Sequence, residues 1–394
     1  MQFLMHRGSH QIGGTAAEVR TASSRLIIDM GDELPGEGLV SQPLHIPGAT
    51  DASAPCDAVL LTHHHGDHAG QLDRLRDGVP LYMGKLTKDL FLYALKENPR
   101  QFADPARLYR RISEARTFTP GKPFRIGTLE ITPYCIDHSA CDSYMFLIEG
   151  DGRRLLYTGD FRMHGPRGKG VLKVAESCVR QVDLLVTEGT ALSRSAASPV
   201  TEFDLQRRVK EYQKNFDYIF VCAASTNLDR ICGLAKATQW GRYFLCDAYQ
   251  YGLLDLLEKY WSPLSPFYRN IKKTRWGENK VADFRKRGFV MAVRPNRDFA
   301  EIIKRFAGEN SLMLYSMWHG YRQPGNKLDE FLNLIPTQAD LHTSGHASAQ
   351  DIVELAKACR AARVVPMHSN APDVLCPLLP GKVEVLSDGE ELTV

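Results

Sequence analysis

The chain has 394 residues, 43% of them hydrophobic and 24% charged. This is the make-up of a folded protein, and it excludes collagen-like, disordered and low-complexity chains. It is too long for one core at roughly 150 residues per domain, and no apolar run approaches the ~18 residues of a membrane span. Net charge is only +3, but residues 196–335 carry 22 basic and 15 acidic side chains, a balance of +7 against −4 elsewhere. The opening MQFLMHRGSH has no basic, apolar and small-residue succession of an export signal, so a cytoplasmic location is expected. Nine cysteines without a CxxC pair read as reduced thiols, mostly buried.

In chain order, short β-type runs come first: Ala17–Thr21, Arg25–Asp29, Asp57–Thr62, Thr128–Tyr134, Tyr144–Ile148, Leu155–Tyr157 and Asp183–Thr187. One clear amphipathic helix, Lys85–Asn98, interrupts them. This predicts a strand-rich layered core. After the Ser-rich stretch Ser193–Ser198 the rhythm becomes strand, helix, strand: Tyr218–Ala223, Leu228–Thr238, Arg242–Cys246, Tyr249–Tyr260, Gly288–Val293, Phe299–Phe306, Ser311–Tyr315. That alternation predicts a parallel sheet covered by helices. A third part has strand Leu341–Thr343, helix Ala349–Arg360, strand Arg363–Pro366 and a final run Val383–Leu386. The expected divisions are therefore 1–195, 196–335 and 336–394, the middle one an insertion.

The segment Val59-Leu-Leu-Thr-His-His-His-Gly-Asp-His-Ala-Gly70 carries most of the chemistry. An apolar run delivers His63, His65, Asp67 and His68 onto one turn as HxHxDH. Alternation splits the four into two sets, enough to begin two metal sites, and imidazole with carboxylate suits zinc, with manganese or iron as alternatives. Two more donors follow strand ends, His138 in Ile136-Asp-His-Ser and Asp160 in Leu156-Tyr-Thr-Gly-Asp-Phe.

These residues resemble the metallo-β-lactamase superfamily, whose motifs run HxHxDH, His, Asp, His. The resemblance implies an αββα sandwich with two metals at one edge, His63, His65 and His138 on the first, Asp67 and His68 on the second, and Asp160 bridging. Glu188 ends the run Leu184–Glu188, His342 and His346 lie in Leu341-His-Thr-Ser-Gly-His-Ala347, and His368 closes Val364-Val-Pro-Met-His. These resemble the acid, the SGHA-type histidine and the PxH-type histidine of the β-CASP nucleases, which carry an inserted α/β domain.

The match is closest to ribonuclease J-like proteins through Gln11–Gly14, Ile28–Gly31, Tyr157–Phe161, Ala223–Arg230 and Pro366–His368. By that resemblance His368 serves the second metal, and a histidine there leans toward RNA. The chain departs from the family at Val290–Phe299, where a Ser- and Gly-rich segment is usual, and at Ser369-Asn370, where Gly-Glu is usual. The resemblance therefore does not carry over a 5′-exonuclease mode.

Two metals ~3.5–4 Å apart generate a hydroxide and clamp a phosphate oxygen for in-line attack. With Asp67 counted among the catalytic groups, His346 is the candidate general acid for the leaving oxygen, and Glu188 would hold its tautomer. His342, Ser344, Gly345 and Ala347, on a turn entering a helix, are candidates to hold a phosphate.

Ten basic residues fall between Arg269 and Arg297, with Phe267, Tyr268, Trp276, Phe284 and Phe289 interleaved. Cations for phosphates and rings for bases suit single-stranded nucleic acid, and Arg285, Lys286 and Arg287 are the expected groove. The reading is a two-metal ribonuclease acting on single-stranded RNA, with single-stranded DNA as a further substrate class and a homodimer left open. A DNA-processing β-CASP nuclease, a small-molecule hydrolase of the same fold and a non-catalytic RNA-binding scaffold are the alternatives.

Overall fold

A computed structural model describes residues 1–34, 41–194, 200–260 and 266–394. The expected division at 195/196 and most of the Ser-rich stretch lie outside them. The chain separates into two compact units: Met1–Met163, Arg167–Ala197 and Gly345–Val394 form the first, and His164–Pro166 with Ser198–Ser344 the second.

The first unit contains two sheets. One has seven strands in the order Glu391–Thr393, Gln2–Arg7, Ala16–Arg20, Arg25–Ile28, Ala58–Leu60, Leu81–Met83, Arg116–Thr117. The other has six, in the order Arg363–Met367, Leu184–Glu188, Arg153–Tyr157, Ser143–Gly150, Leu129–Ile136, Phe124–Ile126. Strand side chains alternate between faces, and the buried residues sort accordingly. Leu26, Ile28, Leu155, Tyr157, Leu184 and Val186 join one core contributed by both sheets. Their neighbours Ile27 and Val59 pack instead with Leu95, Leu108 and Ile112 of helices Lys85–Glu97 and Pro105–Glu114. Leu156 and Leu185 pack with Ile352 and Leu355 of helix Ala349–Ala358. Sheet faces sheet with helices outside both, the expected αββα sandwich.

The second unit holds one six-stranded sheet, Thr274–Arg275, Tyr243–Cys246, Phe289–Val293, Tyr218–Cys222, Ser311–Tyr315, Gln338–Asp340, with every pairing parallel. Both faces of its central strands are buried, Phe220 and Met291 on one, Ile219 and Val290 on the other. Continuous Val, Ile and Phe runs rather than alternation follow from that two-sided burial.

Several elements differ from the expectation. The late strand is Gln338–Asp340 rather than Leu341–Thr343, and it joins the second unit's sheet beyond the expected break after residue 335. Val383 makes only an isolated bridge to Val364, and the last strand is Glu391–Thr393, paired with Gln2–Arg7. Helix Pro105–Glu114 escaped notice because Leu108 and Ile112 carry its thin apolar stripe, yet its cap signals were readable: Asp104 accepts from Arg107 N–H and Pro105 opens the first turn. No disulfide joins the nine cysteines, and five of them are buried. Among the described residues no helix is long and apolar enough to cross a membrane.

Candidate metal centre

Strand ends of both sheets in the first unit supply the donors. The short strand Ala58–Leu60 runs out into His63, His65 caps the single turn Gly66–Ala69, and Asp67 and His68 lie on that turn. His138 follows Leu129–Ile136, Asp160 follows Arg153–Tyr157, and His368 follows Arg363–Met367. The donor atoms gather as His63, His65 and His138 in one group and Asp67, His68, Asp160 and His368 in another. Asp160 stands between them, its Oδ2 3.3 Å from His68 Nε2, 3.8 Å from His138 Nε2 and 4.0 Å from His63 Nε2. His368 Nε2 lies 3.2 Å from Asp67 Oδ2 and also accepts the Gly13 N–H at 3.1 Å.

Four of the five donor histidines are turned by a partner on the far side of the ring, while His65 Nδ1 faces His138 Nε2 at 3.1 Å. His68 Nδ1 donates to Asp29 at 2.8 Å and His138 Nδ1 to the Gly345 carbonyl at 2.6 Å. The Thr62 hydroxyl donates to Asp29 and so accepts from His63 Nδ1 at 3.0 Å. The Thr190 hydroxyl, which donates to the His368 carbonyl, accepts from His368 Nδ1 at 2.7 Å. All four imidazoles thereby present Nε2 inward, as metal-ligating histidines do. Burial, assisted at His63 by the neighbouring His68, holds His63 and His138 well below the usual histidine range, in the neutral form a metal binds. Burial alone would raise Asp160, but the charges of His368 and His68 outweigh it and hold the carboxyl well below its usual range. Among the described residues the buried Nε2 atoms of His63 and His68 and both Asp160 oxygens have no hydrogen-bond partner. Stranding so many polar atoms is costly; divalent ions would satisfy them, and the donor set fits.

Beside this cluster, Glu188 at the end of Leu184–Glu188 is fully buried and accepts from His346 Nδ1 at 3.2 Å. It also takes the N–H groups of Phe161, Thr190 and Ala347 at 3.1, 3.1 and 3.2 Å. Burial pushes His346 down, but Glu188 and Asp160 outweigh it and raise the imidazolium above the usual range. His346 Nδ1 is 3.5 Å from Asp160 Oδ2, and the ring belongs to a third donor group with His138 and Asp160.

Asp29 and Thr190 hold their rings from distant strand ends, and Thr62, though next to His63, has no donor spacing of its own, so none of the three stands out in the sequence by its spacing. For Asp29 a signal existed: an acid directly after the apolar strand Arg25–Ile28, at a left-handed φ of 64°. Two residues on, a Cβ on Gly31 would sit 1.8 Å from the Asp67 carbonyl oxygen, so only glycine lets this loop pack under the donor turn.

The expected phosphate cradle is arranged differently. The Ala347 N–H is given to Glu188, and a Cβ on Gly345 would meet Ser139 Oγ at 2.7 Å and His138 Cε1 at 3.2 Å. Gly345 thus serves the approach of its carbonyl to His138. The start of helix Ala349–Ala358 is closed by a capping box between Ser348 and Asp351, so a carboxylate already occupies its first turn. His342 and Ser344 lie in the second unit, where the Ser344 carbonyl accepts from His164 Nε2 at 2.8 Å.

In that unit the basic run is partly neutralised. Arg285 pairs with Glu309 at 2.6 Å and Arg287 with Asp283 at 3.2 Å, whereas exposed Lys286 has no ion pair among the described residues. Three of the five interleaved rings, Tyr268, Phe284 and Phe289, are fully buried. They are core residues, and the expectation that they meet bases is withdrawn.

Residues 25–212 match the model of the beta-lactamase superfamily domain. That stretch carries the HxHxDH turn, His138, Asp160 and Glu188. A ribonuclease J of Helicobacter pylori is 27% identical over 206 residues, 49% of this chain and 28% of that protein. An RNase J-like protein of Methanocaldococcus jannaschii is 27% identical over 223 residues, 53% of this chain and 48% of that one. A ribonuclease of Thermus thermophilus is 29% identical over 197 residues, 48% and 44% respectively. The match thus spans less than half the length of each of these relatives. A protein of unknown function from Enterococcus faecalis has the same fold, with a TM-score of 0.78, 22% identity and coverage of 100% of this chain and 99% of that one. The metallo-β-lactamase motifs and these matches agree on a likeness to the beta-lactamase superfamily and to ribonuclease J-like proteins.

Proposed function

We propose that this chain is a metal-dependent ribonuclease that hydrolyses phosphodiester bonds of single-stranded RNA. One observation carries the reading: seven donor residues converge while four of their buried polar atoms lack any hydrogen-bond partner among the described residues. His63, His65 and His138 would hold one divalent ion, Asp67, His68 and His368 the other, with Asp160 shared. Zinc suits this set and manganese is the alternative. Bound there, the two ions supply an activated water and neutralise phosphate charge.

The chain's own groups do the rest. Glu188 fixes His346 with its proton on Nδ1, and the raised affinity of that ring for a second proton suits it to protonate the departing oxygen. The buried walls of the cluster exclude bulk water and strengthen each charge inside. Exposed cations of the second unit, Lys286 first, would hold the strand by its phosphates, which positions it without reading sequence. The relatives named as ribonucleases support RNA over other esters, and the cytoplasm is the compartment proposed.

The test is incubation of the purified protein with end-labelled single-stranded RNA and DNA of one sequence, bearing 5′-phosphate or 5′-hydroxyl. Metal-dependent cutting of RNA is expected, and the product lengths separate internal from end-first action. Hydrolysis of a small ester or lactam with neither strand cut would replace this reading with that of a small-molecule hydrolase.

A further inference from the structure

The rings buried in the second unit's core leave open which aromatic faces it offers to solvent. The segment after strand Ser311–Tyr315 supplies two, Trp318 and Tyr321, each 47% exposed and set edge to face with centroids 5.3 Å apart. The segment that carries them is built around their placement. The Tyr315 hydroxyl donates to the Trp318 carbonyl at 2.7 Å. A Cβ on Gly320 would fall 2.3–2.5 Å from the six-membered ring of Trp318, so the indole lies across the backbone at a place only glycine leaves open. Arg322 fastens the far side, donating to Asp329 at 2.8 Å and to Gln338 at 3.0 Å. His319 lies between Trp318 and Tyr321 in sequence, its ring 5.7 Å from Tyr315 and 6.5 Å from that of His342.

A half-exposed indole laid against a glycine, on a segment tied at its backbone by a hydroxyl and at its end by a clamped arginine, is a surface prepared for a flat partner. A nucleobase has two such faces, and stacking tolerates any base. The unit's +7 balance over 196–335 favours a polyanion that carries its bases outward, and imidazoles alongside can hydrogen-bond a base edge. We infer that Trp318 and Tyr321, with His319 between them in sequence and His342 beyond it, form a ledge on which an unpaired base of the substrate strand stacks. The inference rests on the ribonuclease reading and deepens it: the substrate must offer an unpaired base at this ledge, so a fully paired strand should be held poorly.

The experiment is fluorescence anisotropy with the metal-loaded full chain and cutting-resistant phosphorothioate oligomers, one an oligoadenylate and one abasic with the same phosphates. Trp318→Ala is expected to weaken oligoadenylate binding by about tenfold or more. It should leave abasic binding and the salt slope unchanged, and Trp318→Phe should restore most of the loss. Tyr321→Ala provides a second variant in case the first fails to fold, with a smaller loss of the same pattern. Equal affinities in wild type and both variants, with RNA still bound and cut, would overturn the ledge and leave the ribonuclease reading standing. So would equal loss on both oligomers, or a change of oligomeric state without a change in RNA affinity, which would assign the rings to a protein interface. Failure of wild type to bind either oligomer would remove both readings together.

Discussion

Nδ1 of His346 lies 3.2 Å from Glu188, a carboxylate that also receives three backbone N–H groups. Saturated in this way, Glu188 has little freedom to turn, and it fixes the histidine's orientation more firmly than a surface acid would. His346→Ala should keep both metals and RNA affinity and lower turnover by ~10²-fold or more. Glu188→Gln, which can still accept from His346, should lose less. Metal loss in His346→Ala, read by elemental analysis, would make the ring a ligand, as its place in a donor group with His138 and Asp160 allows.

Asp160 approaches four imidazoles within 4.0 Å. One change there should disturb both ions, so Asp160→Asn is expected to be the most damaging single ligand replacement for metal content. Wild type should carry two metals per chain by the same measurement. A content below one, with none rebinding, would sink the two-metal assignment.

The HxHxDH turn, the strand ends that bear His138, Asp160 and His368, and the parallel sheet were legible, because strand runs and donor spacing are local properties. The partners that aim those donors were not. Asp29 reaches His68 across 39 residues and Thr190 reaches His368 across 178, and no local pattern encodes such meetings. The burial of Phe284 and Phe289 was misjudged for a related reason. Lys and Arg neighbours make the rings look like exposed stacking faces beside a phosphate groove, but the helix Val281–Arg287 turns Phe284 inward while Arg285, Lys286 and Arg287 stay exposed.

That arrangement sets the third expectation. Replacing Arg285, Lys286 and Arg287 together should weaken RNA binding with little regard to sequence. The slope of log K against log salt should flatten by roughly 0.7 if Lys286 alone meets phosphate, and by up to about 2 if all three do. Filter binding across a salt series would measure it, and an unchanged slope would show the run to be a solvated face.

A pH effect on stability comes from Glu18, buried in strand Ala16–Arg20 between His6 at 2.8 Å and Arg25 at 2.8 Å. Burial would raise this carboxyl, but hydrogen bonds from His6 and Arg25 outweigh it and bring it down to about 2 from an ordinary 4.5. The folded value is the lower one, so its stabilisation is complete above the ordinary value and fades as pH falls toward 2. It amounts to about 1–2 kcal/mol once solvent screening is allowed for. Glu18→Gln should melt at lower temperature than wild type at pH 7, and the two melting temperatures should converge on acidification. A constant gap in calorimetry between pH 7 and 3 would contradict the assignment.

Asp67 and His368, 3.2 Å apart in space, are separated by 301 residues of sequence. At synthesis rates of roughly 5–20 residues per second, some 15–60 s pass between the emergence of the two. For that interval a nascent chain holds an incomplete donor set, so on the proposed ribonuclease reading it would stay inert while its own messenger is still being read. Chains stalled before residue 368 and analysed on the ribosome should hold less metal than released ones.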